Sequence, residues 1–309
     1  MLKNIYKYLK LYEELGSKAI EVFRYIFTFL ALFFVSMKLK DSISIEMLES
    51  LRHAFVQNMG DYWMLAILIL AGFHHLSDAF IWKSILAERN TIKLVKALQM
   101  NWTSLAYSFY SPNRIMDVPS KVLLLDSLDS DFKWKSATLY NFLKPVSTLL
   151  LGLVTVSLLY GDFWLAILVL LILVLIFAFL PQLRFLQQFR SYISYWSYSK
   201  IIQLIGLNWL RLVTLSLEHV FILLLLGFEF PVLDLFYYLI LIHTIITFIP
   251  QMAGTEIFAK GYLCMYYLQM EVGQEILLST AVLVLWIINV LFPVLIGLTN
   301  QKNAELKYP

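Results

Sequence analysis

The stretch Leu149–Leu180, LLLGLVTVSLLYGDFWLAILVLLILVLIFAFL, decides the fold class of this chain. Apolar residues fill it on both sides of one short interruption at Tyr160-Gly161-Asp162. Each arm belongs to an apolar block whose length is close to the roughly 20 residues that an α-helix needs to cross a bilayer core about 30 Å thick. A β-barrel would instead show short segments of alternating polarity. The stretch therefore predicts two consecutive membrane-spanning helices.

The composition of the whole chain agrees with this prediction. Of its 309 residues, 60% are hydrophobic and only 15% are charged. An ordinary soluble domain is roughly 45–50% apolar and about 25% charged. A chain of this composition could not cover itself with polar surface, which excludes an ordinary soluble protein. Its single cysteine, Cys264, excludes an intrachain disulfide and a cysteine-based metal cluster.

The apolar segments predict an all-α polytopic membrane protein. Six of them are long enough to be full spans: Ile20–Met37, Tyr62–Trp82, Ser136–Tyr160, Phe163–Leu180, Ile201–Leu226 and Ile276–Leu298. Two more, Ala97–Leu128 and Pro231–Met270, are interrupted at residues 111–114 and 250–254. The first arm of each is short or polar for a span, and charges follow the break. We therefore expect each broken segment to form a re-entrant helical hairpin.

Basic residues indicate the orientation of the spans. They concentrate in the N-terminal arm, in the linker after Trp82 and in the 181–200 loop, whereas the opposite loops are acidic or sparse. The positive-inside rule then places both termini in the cytoplasm of an inner cell membrane. The first span is expected to be retained, because Lys38 follows it where a cleavage site would lie. Amphipathic surface helices are expected at Ser44–Met59, outside, and at 181–200, inside.

The order of segments is the same in the two halves of the chain. Residues 1–160 and residues 161–309 each contain two spans, a broken segment and a final span. The first hairpin is expected to enter from the inside and the second from the outside. Equal order with opposite topology indicates an inverted repeat, as in secondary transporters that bind substrate at interrupted helices. Pro112 corresponds to Pro250 in this alignment, although two proline-broken helices can also arise separately as kinks.

Charged residues follow each break. Arg114 and Asp117 lie three residues apart, and Glu256 and Lys260 lie four apart, so each pair would share a helix face. A charge at mid-bilayer costs about 2.5–3.5 kcal/mol and is retained where it pairs or meets water. Two helix N-termini together with Arg114 and Lys260 would form a cationic pocket suited to a phosphate. The alternative is two salt bridges, one within each segment.

Other polar residues in or beside the predicted spans are further candidates. The additional candidates for substrate binding are Asn113, Lys144, Arg211, His243 and Thr255. The candidates for a proton or polar relay are His74, Asp78, Glu218 and His219. A metal site could be built from these last four, but no spacing typical of zinc enzymes is present. A relay or a structural pairing is therefore favoured, and we expect no metal and no cofactor.

The sequence offers little support for catalysis. It contains no glycine-rich P-loop and no Gly-x-Ser-x-Gly elbow. Asp129-Ser130-Asp131 could bind a metal, although Lys133 and Lys135 beside it indicate a solvated loop. The many aromatic residues near span ends are typical of interfacial anchoring, so no nucleic-acid partner is expected. We expect a protein that is not an enzyme.

At the two breaks the sequence resembles the transmembrane flippase-like region of lysylphosphatidylglycerol synthases and their stand-alone relatives. PNRIMD at residues 112–117 is similar to the family's Pro-x-Arg-x-Gly-Glu loop, and IPQMAGTEIFAKG at 249–261 to its second proline break. FIWK at residues 80–83 and the closing span with Pro293 and Gly297 also fit. The resemblance extends over nearly the whole chain and implies lipid transport. The synthases' soluble aminoacyl-transferring domain is missing, so we do not expect that activity.

The chain departs from the family pattern at three positions. Met116-Asp117 replaces Gly-Glu, Phe258 stands where glycine is expected, and Lys260 replaces an arginine. A lysine keeps the charge but not the bidentate geometry that arginine offers to a phosphate. The lipid headgroup is therefore expected to differ from that of better-known members.

Three functions are consistent with these observations. The leading hypothesis is a flippase-like transporter that moves an anionic phospholipid or lipid-linked intermediate between leaflets. The phosphate would meet Arg114 and Lys260, while Asp117 and Glu256 gate or exchange protons. The second is a membrane-embedded transferase acting on lipid-linked sugars through Asp129, Asp131 or the intramembrane carboxylates. The third is a non-catalytic partner of a lipid-modifying synthase.

Overall fold

The computed structural model describes residues 62–109, 111, 114, 116–125, 128–159, 161, 164, 167–168, 171, 195–249, 255–268 and 275–305. The predicted span Ile20–Met37 and the predicted helix Ser44–Met59 lie outside these residues. Most of the predicted span Phe163–Leu180 lies outside them too, as does Asn113.

In these ranges the chain forms helices and no strands. In chain order they are α1 (Tyr62–Leu86), α2 (Leu94–Ser108), α3 (Asp117–Leu123), α4 (Ser130–Leu159), α5 (Tyr198–Leu225), α6 (Val232–Phe248), α7 (Thr255–Leu268), α8 (Glu275–Trp286) and α9 (Phe292–Glu305). One π-helical turn, Ile287–Leu291, joins α8 to α9 without interrupting the rod.

Four of these helical rods are long and apolar enough to cross a membrane. They are α1, α4, α5 and the stretch Leu277–Asn300 formed by α8, the π turn and α9. Helix α6 is apolar but shorter, at 17 residues. These rods cover the predicted spans Tyr62–Trp82, Ser136–Tyr160, Ile201–Leu226 and Ile276–Leu298. The structure thus confirms a helical protein, and in the described ranges it has helices that could cross a membrane at four of the six predicted places.

The helices break where the sequence predicts breaks. Helix α2 ends at Ser108 and α3 begins at Asp117, while α6 ends at Phe248 and α7 begins at Thr255. Between α2 and α3, the Met116 N–H donates to Ser111 Oγ at 3.2 Å. Arg114 has φ of +54°, a left-handed conformation that non-glycine residues rarely adopt. The helix therefore restarts at Asp117 rather than at the proline, and Arg114 and Asp117 do not share a helix face.

Two glycines let the broken helices pack closely against long helices. A Cβ on Gly152 of α4 would lie 2.4 Å from Thr244 Cγ2 on α6. A Cβ on Gly297 of α9 would lie 2.2 Å from the carbonyl oxygen of Trp102 on α2. Each contact joins the last long helix of one half of the chain to the first arm of the other half's broken segment. The two halves are thereby interlocked around the space between the breaks.

The segment before α5 differs from its prediction as a helix on the membrane surface. Tyr195 and Trp196 form a turn, and residues 181–194 lie outside the described ranges. Trp196 is 5% exposed, stacks on Phe132 and donates its Nε1–H to the Ile85 carbonyl at 2.9 Å. The prediction is wrong for these two residues, because a buried tryptophan with a satisfied indole N–H packs against the helical core rather than the headgroup layer.

Candidate functional site: a charged cavity between the breaks

A cavity of about 500 Å³ lies between the broken segments and the long helices. Among the described residues, its wall carries eight charged side chains, five of them basic and three acidic, an excess of positive charge. The basic residues are Arg114, Lys121, Lys144, Arg211 and Lys260, and the acidic residues are Asp78, Asp117 and Glu256. Helices from both halves of the chain contribute, so the cavity exists only in the folded protein.

An ion pair joins the two broken segments across the cavity. Arg114 Nη2 lies 3.4 Å from Glu256 Oε1. Both residues were predicted to be site residues, but each was assigned to a neighbour in its own segment. The alternative of two salt bridges within segments is wrong for these partners, because the turn after Ser111 directs Arg114 away from α3 and toward α7. The breaks therefore meet at one place, and charge from one segment compensates charge from the other.

Asp117 is instead neutralised by Lys121, one helical turn along α3. Lys121 Nζ lies 2.7 Å from Asp117 Oδ1 and 3.1 Å from Ser104 Oγ. Ser104 Oγ also donates to Asp117 Oδ1 and lies 2.8 Å from Ser120 Oγ. The Lys121 side chain is 2% exposed, and its ammonium lies 4.5 Å from the Tyr140 ring centroid. Asp117 and Lys121 thus form a closed, buried unit at the start of α3.

Asp78 on α1 is held by groups from three other helices. Its Oδ1 lies 2.9 Å from Lys144 Nζ and 4.0 Å from Arg211 Nε. Its Oδ2 accepts hydrogen bonds from Tyr140 at 2.6 Å and from Asn101 at 3.2 Å. Three predicted site residues, Asp78, Lys144 and Arg211, therefore belong to one network. This network compensates the carboxylate fully, as a buried charge requires.

Lys260 differs from the other cations of the cavity. It lines the cavity from α7, yet no carboxylate in the described part of the chain lies within the 4.0 Å of an ion pair. The expected partner, Glu256, forms its ion pair with Arg114, although Lys260 still acts electrostatically on the Glu256 carboxylate. Lys260 is therefore a cation at a cavity wall whose charge the described carboxylates leave without a direct counterion.

Glu218 and His219 lie behind the cavity wall on α5. Both are fully buried. Asn289 Nδ2 donates to Glu218 Oε1 at 2.8 Å, and the rings of His219 and His243 lie 5.6 Å apart. Asn289 and His243 themselves line the cavity. The predicted relay residues are thus separated from the cavity by one side chain each.

The remaining predicted residues are placed as follows. His74 lines the cavity and donates its Nδ1–H to the Arg211 carbonyl at 3.2 Å. Thr255 is the first residue of α7. Asn113 lies outside the described residues. Within the described ranges, no three His, Cys, Asp or Glu side chains are grouped in a way that could hold a metal ion.

Asp129 and Asp131, the carboxylates of the transferase hypothesis, lie away from the cavity. Asp129 Oδ2 accepts the Phe132 N–H at 3.3 Å at the start of α4. Asp131 Oδ2 lies 2.7 Å from Lys135 Nζ and accepts a hydrogen bond from Tyr195 at 2.9 Å. That hydrogen bond raises the pKa of the Tyr195 phenol. The contacts of both carboxylates are those of a helix start at the polar end of α4.

Lys121, Asn141 and Asn289 line the cavity but were not predicted. Two repeated patterns in the sequence could have identified them. An acid followed four residues later by lysine comes after each break, as Asp117–Lys121 and Glu256–Lys260. The final long helix of each half contains Asn-x-Leu-x-Pro-Val, at residues 141–146 and 289–294. In both copies the asparagine Nδ2 donates to the carbonyl four residues earlier, at 3.1 Å.

Comparison with known proteins assigns the chain to no family. Neither the protein-family profiles nor the curated proteins contain a match to the chain. The function of the protein has to be inferred from the geometry of the cavity.

Proposed function

We propose that the protein is a flippase-like membrane transporter that moves an anionic lipid between leaflets. The observation that carries the proposal is the excess of positive charge among the described residues of a cavity lined in part by helices that can cross a membrane. Uncompensated charge in such a place is costly, so it is retained where a ligand of opposite charge or water meets it. A phosphate-bearing headgroup supplies that charge, and its acyl chains can remain in the bilayer.

Lys260 is the residue that first contacts the headgroup in this proposal. Each of the other four cations of the cavity lies within 4.0 Å of a carboxylate. A phosphate can therefore bind at Lys260 without displacing an existing ion pair. Arg114, half-exposed and paired at the longer distance of 3.4 Å, is the next cation available. A site of this kind binds an anion by charge and needs no bidentate arginine geometry.

The two halves of the chain, 1–160 and 161–309, form an inverted repeat with two re-entrant hairpins in this proposal. Corresponding features support it at several points along the chain: the carboxylates Asp78 and Glu218, the breaks at Pro112 and Pro250, the acid-lysine pairs, the two Asn-x-Leu-x-Pro-Val copies, and the close-packed Gly152 and Gly297. Transporters built this way place the substrate between their repeats, where rocking exposes it to each side in turn.

Leaflet exchange of a labelled lipid tests the proposed function directly. Purified protein is reconstituted into phosphatidylcholine vesicles containing fluorescent phosphatidylglycerol, and the label reached by an external quencher is followed over time. We expect protein-dependent exchange that is strongly slowed in Lys260→Met. Lys96→Met is the matched control, since Lys96 is exposed on α2 and does not line the cavity. Exchange at the wild-type rate in Lys260→Met, or none in the wild type, would contradict the proposal.

A further inference from the structure

The pair Glu218 and His219 is the most deeply buried set of titratable groups beside the cavity. Both residues are 0% exposed. Glu218 Oε2 and both ring nitrogens of His219 have no hydrogen-bond partner among the described residues. The partner of Glu218 Oε1 is a neutral amide, Asn289 Nδ2. A carboxylate in such surroundings carries no compensating charge within contact distance.

Comparison with Asp78 shows how unusual this arrangement is in the same fold. Asp78 occupies the corresponding place in the first half, on the long helix before the broken segment. It contacts two cations, Lys144 and Arg211, and two neutral donors. Glu218 has no described cation within 4.0 Å. A buried ionised carboxylate that lacks a cation takes up a proton instead, so the two halves of the protein neutralise their carboxylates in different ways.

Both neighbours of the buried pair open onto the cavity. Asn289, which holds Glu218, lies on the π-helical turn Ile287–Leu291 and lines the cavity. His243, next to His219, also lines the cavity, and its Nε2 has no described hydrogen-bond partner. π-Helical turns inside α-helices are frequent at functional sites. Glu218 is thus one side chain, Asn289, away from the cavity, and His219 is one side chain, His243, away from it.

We propose that Glu218 is a proton-binding site and that the protein carries one proton together with each anionic lipid. This inference rests on the proposed function. When Glu218 holds a proton it is neutral, and Lys260, which has no described carboxylate within 4.0 Å, is available to a phosphate. When Glu218 loses the proton its negative charge attracts Lys260, which acts electrostatically on both Glu218 and His219. Proton and anion therefore favour each other's binding, and the coupling is reciprocal.

The surrounding charges are consistent with this coupling. Lys260 on α7 acts electrostatically on both Glu218 and His219, and the His243 ring on α6 lies 5.6 Å from the His219 ring. His74 and Arg211 act on His243, and Lys260 also acts on Glu256 and Cys264. Arg211 Nε lies 4.0 Å from Asp78 Oδ1, whereas no described carboxylate lies within 4.0 Å of Lys260. Lys260 acts electrostatically on Glu218 and on Glu256, so a change in the charge of Glu218 changes the balance at this cation. A monoanionic headgroup moving with one proton carries no net charge across the membrane.

Vesicles with a pH gradient test the coupling. In the leaflet-exchange assay, we impose a difference of about one pH unit and measure the steady-state distribution of fluorescent phosphatidylglycerol. One coupled proton shifts the leaflet ratio by about tenfold per pH unit. We expect this shift in the wild type and in Glu229→Gln, a control that removes an exposed carboxylate outside the cavity. We expect Glu218→Gln to exchange lipid without responding to the gradient.

A second measurement does not depend on any variant. Calorimetric titration of the wild type with dihexanoylphosphatidylglycerol, in two buffers of different ionisation enthalpy, reports the protons taken up on binding. At an alkaline pH, where Glu218 of the lipid-free protein is ionised, we expect uptake of up to one proton per lipid, as the linkage requires. Any one of four results would overturn the inference. They are no proton uptake at that pH, a leaflet ratio that does not change with the pH gradient, a leaflet ratio that follows a sodium gradient, and a response to the pH gradient that persists in Glu218→Gln. These results leave lipid exchange itself intact, whereas absence of exchange in the wild type contradicts the proposed function.

Discussion

Arg114 Nη2 lies 3.4 Å from Glu256 Oε1 although 142 residues separate the two in the chain. The contact joins the turn that follows α2 to the first turn of α7. Each residue thereby compensates the charge of the other at the mouth of the cavity, where the Arg114 side chain is 45% exposed. The two breaks are thus one structural feature, and movement of either broken segment changes the surroundings of both.

Reversing the charge of Arg114 tests this contact. Arg114→Glu places two carboxylates face to face, and we expect lipid exchange to fall several-fold. Adding Glu256→Arg restores opposite charges and is expected to recover most of the rate. Because the pair is partly exposed and screened, we expect Arg114→Gln to change the free energy of unfolding by less than about 1 kcal/mol. Exchange at the wild-type rate in Arg114→Glu would mean that the pair has no role in transport.

Removing the charge of Asp78 should destabilise the protein strongly. Asp78→Asn leaves Lys144 and Arg211 without their buried counterion, and loss of one partner of such a network costs about 3–5 kcal/mol. The measurement is unfolding in mixed detergent micelles with increasing sodium dodecyl sulfate. Asp131→Asn is the control, because Asp131 is exposed and its loss should not shift the transition. Equal transitions for the two variants would show that the Asp78 network is not structural.

Lys121 and Lys260 occupy corresponding sequence positions but should respond differently to substitution. Lys121→Met strands the buried Asp117 carboxylate, so we expect a loss of about 3–5 kcal/mol in the free energy of unfolding. Lys260→Met removes no ion pair and should leave the unfolding transition near that of the wild type while weakening lipid binding. Unfolding and dihexanoylphosphatidylglycerol titrations of both variants check this. A stability loss at Lys260 as large as at Lys121 would argue that Lys260 is structural.

Gly297 should tolerate no side chain. In Gly297→Ala the new Cβ would lie 2.2 Å from the Trp102 carbonyl oxygen, and α9 must move away from α2. We expect a loss of about 1–3 kcal/mol, the range for overpacking a close contact. Gly206→Ala on α5 is the control, since a Cβ there meets nothing within 4 Å and alanine favours a helix by about 1 kcal/mol. A stable Gly297→Ala protein would contradict the close packing of these two helices.

Local sequence predicted the four long helices of the described ranges and the two places where helices break. A membrane-spanning helix is recognised from its length and hydropathy, which are properties of consecutive residues. The breaks at Pro112 and Pro250 were equally visible, since a proline removes a backbone donor and restricts the residue before it. The helix restart was misplaced because the left-handed turn at Arg114 depends on contacts that no local pattern reports.

Partners of the charged residues could not be predicted in the same way. Helical spacing favoured Arg114 with Asp117 and Glu256 with Lys260, and it identified two pairs that each lie within one segment. The observed Arg114–Glu256 pair exists because α3 and α7 begin beside each other in the fold. Lys121 was not predicted, because the spacing rule offered Arg114, three residues from Asp117, as the partner, whereas the observed partner lies four residues away.

The sequence by itself determined that this chain is helical, that its helices are long and apolar enough for a membrane, and where charges follow the breaks. Hydropathy, helix length and proline chemistry act along the chain, so they can be read from neighbouring residues. Only the tertiary structure decided which charges compensate one another and which remain without a partner. Ion pairing depends on distances of a few ångströms between helices that are remote in sequence, and packing at Gly152 and Gly297 sets those distances.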